Sequence, residues 1–248
     1  MLMIAERFRG PPASANGGYV AGLIAALAPT TVAVRLRRPP PLGVAMHADR
    51  DASGYIVVRH HEDVIAEARP VTLALQVPPA CEYVEALAAS RQFPGFRQHA
   101  FPTCFVCGPA RQRGDGLRIF PGELHAGKGD AAGVGRVVAA PWVPDASLAQ
   151  ADGKVAAEFM WAALDCPGGF AIAADGRVAL LAEFTAHVDR RVRIDEPCVV
   201  IGWHIRSDGR MHEAGTALFD EDGELCGRAH ALWIEPRAQA AIPGDPRP

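Results

Sequence analysis

Residues 19–28 read YVAGLIAALA, an apolar run without interruption, and no charged residue stands between Pro11 and Val34. Pro29 closes the run. A membrane-spanning helix needs about 20 predominantly apolar residues, so this stretch is too short to cross a bilayer. It has no basic region ahead of a cleavage site, so it does not read as a signal peptide. The pattern predicts a short helix buried on every side of a globular protein. Tyr19, Leu23 and Leu27 fall on one face, with Val20, Ile24 and Ala28 beside them, while Ala21, Gly22, Ala25 and Ala26 permit close approach elsewhere.

Strand periodicity surrounds this helix. A short strand is expected near Ile4–Phe8. After the helix, Val32, Val34 and Leu36 alternate with Ala33, Arg35 and Arg37. GVAMHADRD and GYIVVRHHED flank a turn at Ala52-Ser53-Gly54, and VIAEARPVTLALQV reads as a long strand ending at Pro78-Pro79. His60 and His61 are adjacent, which on a strand would point them to opposite faces.

The second half repeats this order. GVGRVVAAPWV, near Gly133–Val143, reads as a strand. Lys154–Pro167 reads as a helix, with Val155, Phe159, Ala162 and Ala163 on one face and Pro167-Gly168-Gly169 ending it. RVALLAEFTAHVDRRV follows as a long strand. Then Val199, Ile201, Trp203 and Ile205 alternate against Val200, Gly202, His204 and Arg206. Asp208-Gly209 and Asp222-Gly223 sit between alternating runs, a strong hairpin signal. The expected units are residues 1–79, a linker over 80–129 with a short amphipathic helix in CEYVEALAASRQ, residues 130–237, and a frayed tail over 238–248.

Composition narrows the function classes. The chain has 248 residues, 49% hydrophobic and 21% charged, which suits a globular protein of one large or two small domains. A net charge of −3 gives no electrostatic reason to expect nucleic acid or an anionic membrane as partner. The six cysteines, with no secretory signal, are expected to be mostly reduced, in a cytoplasmic protein. No P-loop, Rossmann fingerprint, GxSxG or HExxH is present.

Strand, one helix, then a long antiparallel meander, twice over, gives an α+β expectation: two hotdog domains in one chain. In each, a curved antiparallel sheet wraps a central helix, and the two pair as a pseudo-dimer with their sheets joined edge to edge. With GGYVAGLIAAL in the first half and WAALDC in the second, the sequence resembles the thioesterase-like superfamily of double-hotdog proteins, which includes the acyl-CoA thioesterases. The resemblance covers most of the chain apart from the linker and tail. It implies an acyl thioester such as acyl-CoA as substrate, no cofactor, no metal, and an internal pseudo-dimer able to pair again as a homo-oligomer.

The resemblance also implies a site. In such thioesterases a backbone N–H at the start of a hotdog helix polarises the thioester carbonyl, and a carboxylate on the partner helix activates water or attacks directly. Here Asn16-Gly17-Gly18 opens the first helix, but Ala25 and Ala26 stand where a mid-helix carboxylate would be sought. The second helix has Asp165 but no glycine pair at its start. One composite site follows, with Asp165 and Gly18 as catalytic groups and Asn16, Gly17, Tyr19 and Trp161 against the substrate. Helix N-termini carry unpaired N–H groups and the positive end of the dipole, and glycine lets a carbonyl approach the backbone. Asn16 also suits a plain N-cap, and Asp165 a plain helix-end carboxylate. Thr185 and Thr216 are candidate partners of Asp165.

Two features stand apart. Cys104-Phe-Val-Cys107-Gly resembles half of a zinc knuckle, yet no second CxxC exists, and His99 and His125 are not at compelling spacing. Packing, in an ordered loop lying over the barrel, is the expectation there, ahead of zinc or a redox pair. Arg35, Arg37 and Arg38, then Arg190, Arg191 and Arg193, and Arg111, Arg113 and Arg118 form three basic clusters. They read as solvated strand ends, or one of them as a partner for the phosphates of coenzyme A. A non-catalytic acyl-thioester binding protein is the alternative function. A hotdog hydratase or dehydratase ranks below it, because no Asp/His pair lies near Asn16 or Asp165.

Overall fold

The computed structural model describes residues 1–124, 135–172 and 178–237. In chain order the elements are β1 (Leu2–Met3), α1 (Gly17–Ala25), β2 (Val32–Leu36), β3 (Ala45–Arg50), β4 (Ile56–His60), β5 (Asp63–Pro70), α2 (Tyr83–Ser90), β6 (Gly122–Glu123), β7 (Val137–Trp142), α3 (Ala157–Ala163), α4 (Cys166–Ile172), β8 (Leu180–Val188), β9 (Cys198–Asp208), β10 (Met211–Phe219) and β11 (Leu225–Ile234). Short 3₁₀ turns occur at Glu6–Phe8, Pro94–Phe96 and Ala146–Leu148.

The strands form an 11-stranded sheet in the order β1-β3-β4-β5-β2-β8-β11-β10-β9-β7-β6. Every pairing is antiparallel. Strands from residues 2–70 lie together at one side and strands from residues 122–234 at the other. The seam is β2 against β8, where Val34 faces Phe184 and Arg35 faces Glu183. Pairing at this seam covers what would otherwise be two open edges.

Helix α1 packs on β2, β8 and α3, so it sits where the two sets of strands meet. Gly22 makes the helix pair close. A Cβ there would lie 2.8 Å from Glu158 Cα and 2.9 Å from Trp161 Cβ. Residues 18–22 and Ile24 are buried, as the uncharged sequence requires, but the end of the apolar run, past α1, is not enclosed: Leu27 is 39% exposed.

Along β9 the period-two alternation divides two cores. Cys198 and Val200 join the main core, and Gly202 gives α4 room, since a Cβ there would lie 2.4 Å from Pro167 O. Val199, Ile201 and Trp203 face the opposite way, into a smaller cluster with Ala86 of α2. The sheet is therefore covered on both faces in this region.

Several boundaries differ from the sequence expectation. The strand expected near Ile4–Phe8 is β1 followed by a 3₁₀ turn. The long strand expected to reach Pro78 leaves the ladder at Pro70; Leu75 and Val77 of its alternating extension pack instead against the smaller core. The helix expected through Pro167 breaks at Leu164–Asp165, and Pro167 lies in the first turn of α4, where its missing N–H costs nothing. His61 adopts φ 52° beyond the end of β4, so the rings of His60 and His61 lie 4.3 Å apart, tilted by 57°, rather than pointing to opposite faces. His125, the proposed boundary at 129–130 and the tail over 238–248 lie outside the described residues. No helix among the described residues is long and apolar enough to cross a membrane.

Candidate active site

Asn16 caps α1. Its backbone is extended, and its Oδ1 accepts from Tyr19 N–H at 2.9 Å. The capping residue is itself held, because its N–H donates to Phe8 O at 2.8 Å. With Oδ1 committed to the cap, the amide nitrogen points outward. Asn16 Nδ2 donates to Asp165 Oδ2 at 2.7 Å, and Gly18 N–H donates to the same oxygen at 3.0 Å.

Asp165 occupies the break between α3 and α4. Its N–H donates to Ala162 O at 3.1 Å and its carbonyl accepts from Gly168 N–H at 3.1 Å. Thr216 Oγ1, from β10, donates to Leu164 O at 2.7 Å and fixes the residue before it. Asp165 is 2% exposed, and its other oxygen, Oδ1, is buried without a hydrogen-bond partner among the described residues. Burial raises the Asp165 pKa to about 7; the Gly18 N–H and the Asn16 amide pull it down, and the Cys104 charge pushes it further up.

Asn16, Gly18 and Asp165 thus meet at one point, from two helices that the sequence separates by 147 residues. The approach depends on glycine: a Cβ on Gly18 would lie 2.5 Å from Asp165 Cβ and 2.9 Å from Trp161 O. The other expected residues stand around this point. Gly17 packs under Leu181 and Leu36, where a Cβ would come within 2.8 Å of Leu181 Cδ2. Tyr19 stacks on Phe8 at 4.2 Å and on Phe159 at 5.6 Å, and burial raises its phenol to about 12. Trp161 packs edge-on to Phe184 at 5.7 Å. Thr185 is buried on β8.

The Cys104–Cys107 loop lies within the core rather than over it. Phe105 N–H donates to Arg9 O at 2.7 Å, and Leu117 and Ile119 return along it to Phe105 O and Val106 O. Cys104 Sγ lies 3.8 Å from Cys166 Sγ, so the residue after Asp165 touches this loop. Hydrogen bonds from the Cys107 and Cys166 thiols hold Cys104 well below the usual thiol range; Cys107 is pushed up by burial, and Cys166 by the hydrogen bond it gives to Cys104. CFVC in the sequence carried a signal for this loop, but nothing in the sequence pointed to Cys166.

Members of each basic cluster are engaged in ion pairs. Arg37 pairs with Glu67, Arg38 with Asp63, Arg190 with Glu196 and Asp220, Arg191 with Asp152, and Arg111 with Asp115. An open surface groove of about 780 Å³ is lined by residues such as Thr31, Leu73, His187 and Arg228, and none of the residues around Asp165 lines it.

No family model matches the chain, and no curated protein matches it in sequence. Among solved structures, the tesB protein of Mycobacterium avium subs paratuberculosis aligns over 92% of this chain and 90% of its own, at 14% identity and a TM-score of 0.57. A hypothetical thioesterase of Streptococcus pneumoniae, solved with coenzyme A, aligns over 42% of this chain and 84% of its own, at 10% identity and a TM-score of 0.39. A protein of Streptococcus mutans, solved with acetyl CoA, aligns over 40% of this chain and 81% of its own, at 8% identity and a TM-score of 0.39. The near-full-length alignment with the tesB protein, on one large antiparallel sheet with few helices, gives this chain a hotdog fold.

Proposed function

We propose that the chain hydrolyses an acyl thioester, such as an acyl-CoA, at a single site formed by the start of α1 and the α3–α4 break. Residues 1–79 and 130–237 would each be a hotdog unit, and the site would be the junction of this internal pair. The observation that carries the reading is the convergence of two donors, Gly18 N–H and Asn16 Nδ2, on a buried carboxylate oxygen of Asp165.

In the proposed reaction the thioester carbonyl oxygen takes the place of Oδ2 on those two donors. Asp165 turns to accept a proton from water, whose oxygen attacks the carbonyl carbon. Negative charge then develops on the carbonyl oxygen between Gly18 N–H and Asn16 Nδ2, where fixed donors stabilise it at no further reorganisation cost. Collapse expels the thiolate, which takes the proton from Asp165 and leaves as the free thiol with the carboxylic acid as the other product. Tyr19 and Trp161 would border the acyl chain.

A second reading has a specific observation in its favour. The carboxylate itself occupies both donors and is 2% exposed, as in a cap supplied by one helix to another. On that reading the chain binds acyl thioesters without cleaving them. The deciding experiment is thiol release from short, long and aromatic acyl-CoAs, corrected for the protein's own six cysteines, with Asp165→Asn in parallel. Turnover lost in the variant supports hydrolysis. Unchanged turnover in folded Asp165→Asn sinks the assignment, and binding without release in the wild type moves it to the second reading.

A further inference from the structure

The chemistry proposed above leaves three cysteines unused. Cys104, Cys107 and Cys166 are buried, and their sulfur atoms all lie within 4.8 Å of one another. They come from two segments: the loop after α2 supplies two, and the first residue of α4 supplies the third, 62 residues from Cys104. Packing alone accounts for buried thiols but gives no reason for three sulfurs from distant segments to converge.

The local backbone has the form of a metal-binding knuckle. Gly108 N–H donates to Cys104 O at 2.9 Å and closes the turn. Only glycine fits after Cys107, because a Cβ on Gly108 would lie 2.5 Å from Cys104 O and 2.6 Å from Cys104 N. Thiolate is the form of cysteine that binds metal. Zinc–sulfur bonds of about 2.3 Å in a tetrahedron put neighbouring sulfurs about 3.8 Å apart. The Cys104–Cys166 separation is 3.8 Å.

One further group fits this picture. His99 Nδ1 accepts from Phe101 N–H at 2.9 Å, so a neutral ring carries its proton on Nε2. Nε2 is buried without a hydrogen-bond partner among the described residues. Its ring packs against Phe170 of α4 with centroids 5.7 Å apart, so it spans the same two segments that the sulfurs bridge.

We propose that Cys104, Cys107 and Cys166 form a structural site for a zinc ion, with an oxygen or nitrogen donor completing the tetrahedron. Thiol protons leave to solvent as the sulfurs bind, and nothing is oxidised or reduced. The ion would tie the loop after α2 to the start of α4, and so brace the chain on the carboxyl side of Asp165. It would complete in three dimensions the knuckle of which CFVCG is half.

The test uses the full chain, purified reduced and without chelator after growth with added zinc. Metal analysis should find one zinc per chain, and X-ray absorption at the zinc edge should show three sulfur neighbours and one lighter atom. Cobalt(II) added to zinc-stripped protein should give a thiolate-to-cobalt charge-transfer band that zinc abolishes. Cys166→Ser should weaken zinc binding by at least tenfold, and Cys81→Ser, outside the cluster, should leave it unchanged. Absence of zinc and of the cobalt band in folded, reduced wild-type protein overturns the site. So does a bound metal with fewer than three sulfur neighbours, a readout that needs no variant to fold. None of these readouts depends on thioester turnover, so failure here leaves the hydrolase reading standing, and the reverse holds too.

Discussion

Gly18 N–H donates to Asp165 Oδ2 across 3.0 Å, so a carboxylate at the α3–α4 break supplies an acceptor to the first turn of α1. The first N–H groups of a helix have no partner within it. Asn16 satisfies one through its own side chain, and Asp165 satisfies another from a distant segment. The same contact serves stability and the proposed chemistry, so the two must be separated by choice of substitution.

Asp165→Asn and Asp165→Ala make that separation. An asparagine oxygen at Oδ2 still accepts from Gly18 N–H and Asn16 Nδ2 and carries no buried charge. Its unfolding free energy should stay within about 1 kcal/mol of wild type, while turnover falls by about 10²–10⁴-fold through loss of the base. Asp165→Ala leaves two buried donors without an acceptor, at a cost of about 1–3 kcal/mol each. Denaturant unfolding of both variants beside thiol-release assays checks this. Equal stability of the two would show that the hydrogen bonds to Oδ2 contribute nothing.

Asn16→Ser divides the roles of Asn16. A serine hydroxyl can still accept from Tyr19 N–H and preserve the cap, but it cannot also reach Asp165 as the longer amide does. The helix should lose only a few tenths of a kcal/mol from capping. Turnover should fall by about 10²-fold or more, the effect typical of losing one oxyanion donor. Circular dichroism melts and the acyl-CoA assay read the two effects apart. A variant with wild-type turnover would remove Asn16 from the proposed reaction.

The close approach of α1 and α3 gives a third expectation. Alanine at Gly22 would place Cβ 2.8 Å from Glu158 Cα, and alanine at Gly18 would place it 2.5 Å from Asp165 Cβ. Both substitutions should destabilise by about 1–3 kcal/mol, as overfilling a packed interface does. Gly18→Ala should be the more damaging, because it also pushes Asp165 off the Gly18 N–H. Chemical denaturation midpoints would show the order, and wild-type stability of Gly22→Ala would mean the helices separate freely.

How far the sequence announces this arrangement varies with the kind of signal. The uncharged run after Gly17-Gly18 marks α1 because a helix packed among strands and a second helix has little use for charge. The alternation in residues 198–206 marks β9 because its two faces serve two cores, and the Asp-Gly pairs mark the hairpins because glycine accepts positive φ, 56° at Gly209 and 77° at Gly223. The extension after Pro70 misleads for the same reason: Leu75 and Val77 alternate toward a core, yet the segment has no ladder neighbour among the described residues. The break at Leu164–Asp165 was hidden inside a continuous helical pattern, since Pro167 reads equally as an end or a beginning. That Asp165 sits on the Gly18 N–H, and that Cys166 meets Cys104, are consequences of how the elements pack. No local pattern encodes a contact between residues so far apart in the chain.

Acid stability provides a further test, away from the site. Arg190 bonds both carboxylate oxygens of Glu196 and also Asp220 Oδ2, and Arg193 N–H donates to Glu196 Oε2 at 2.7 Å. Cys198 and Cys226 also lie beside this cluster, and Asp222 and Glu224 flank Asp220. The hydrogen bond from Arg190 is the largest influence on Glu196 and holds its pKa below the usual 4.5. A carboxylate whose folded pKa is depressed adds stability above its unfolded pKa, and that stability is lost as pH falls through the folded value. Arg190→Met should therefore cost about 1 kcal/mol at neutral pH, a modest figure because the guanidinium side chain is 40% exposed. The difference from wild type should shrink as pH drops below 4.5, once both carboxyls are protonated in the folded and unfolded chains alike. Urea unfolding of the two proteins from neutral to acid pH reads this directly. A gap that persists unchanged at acid pH would assign the loss to packing of the Arg190 side chain rather than to its charge.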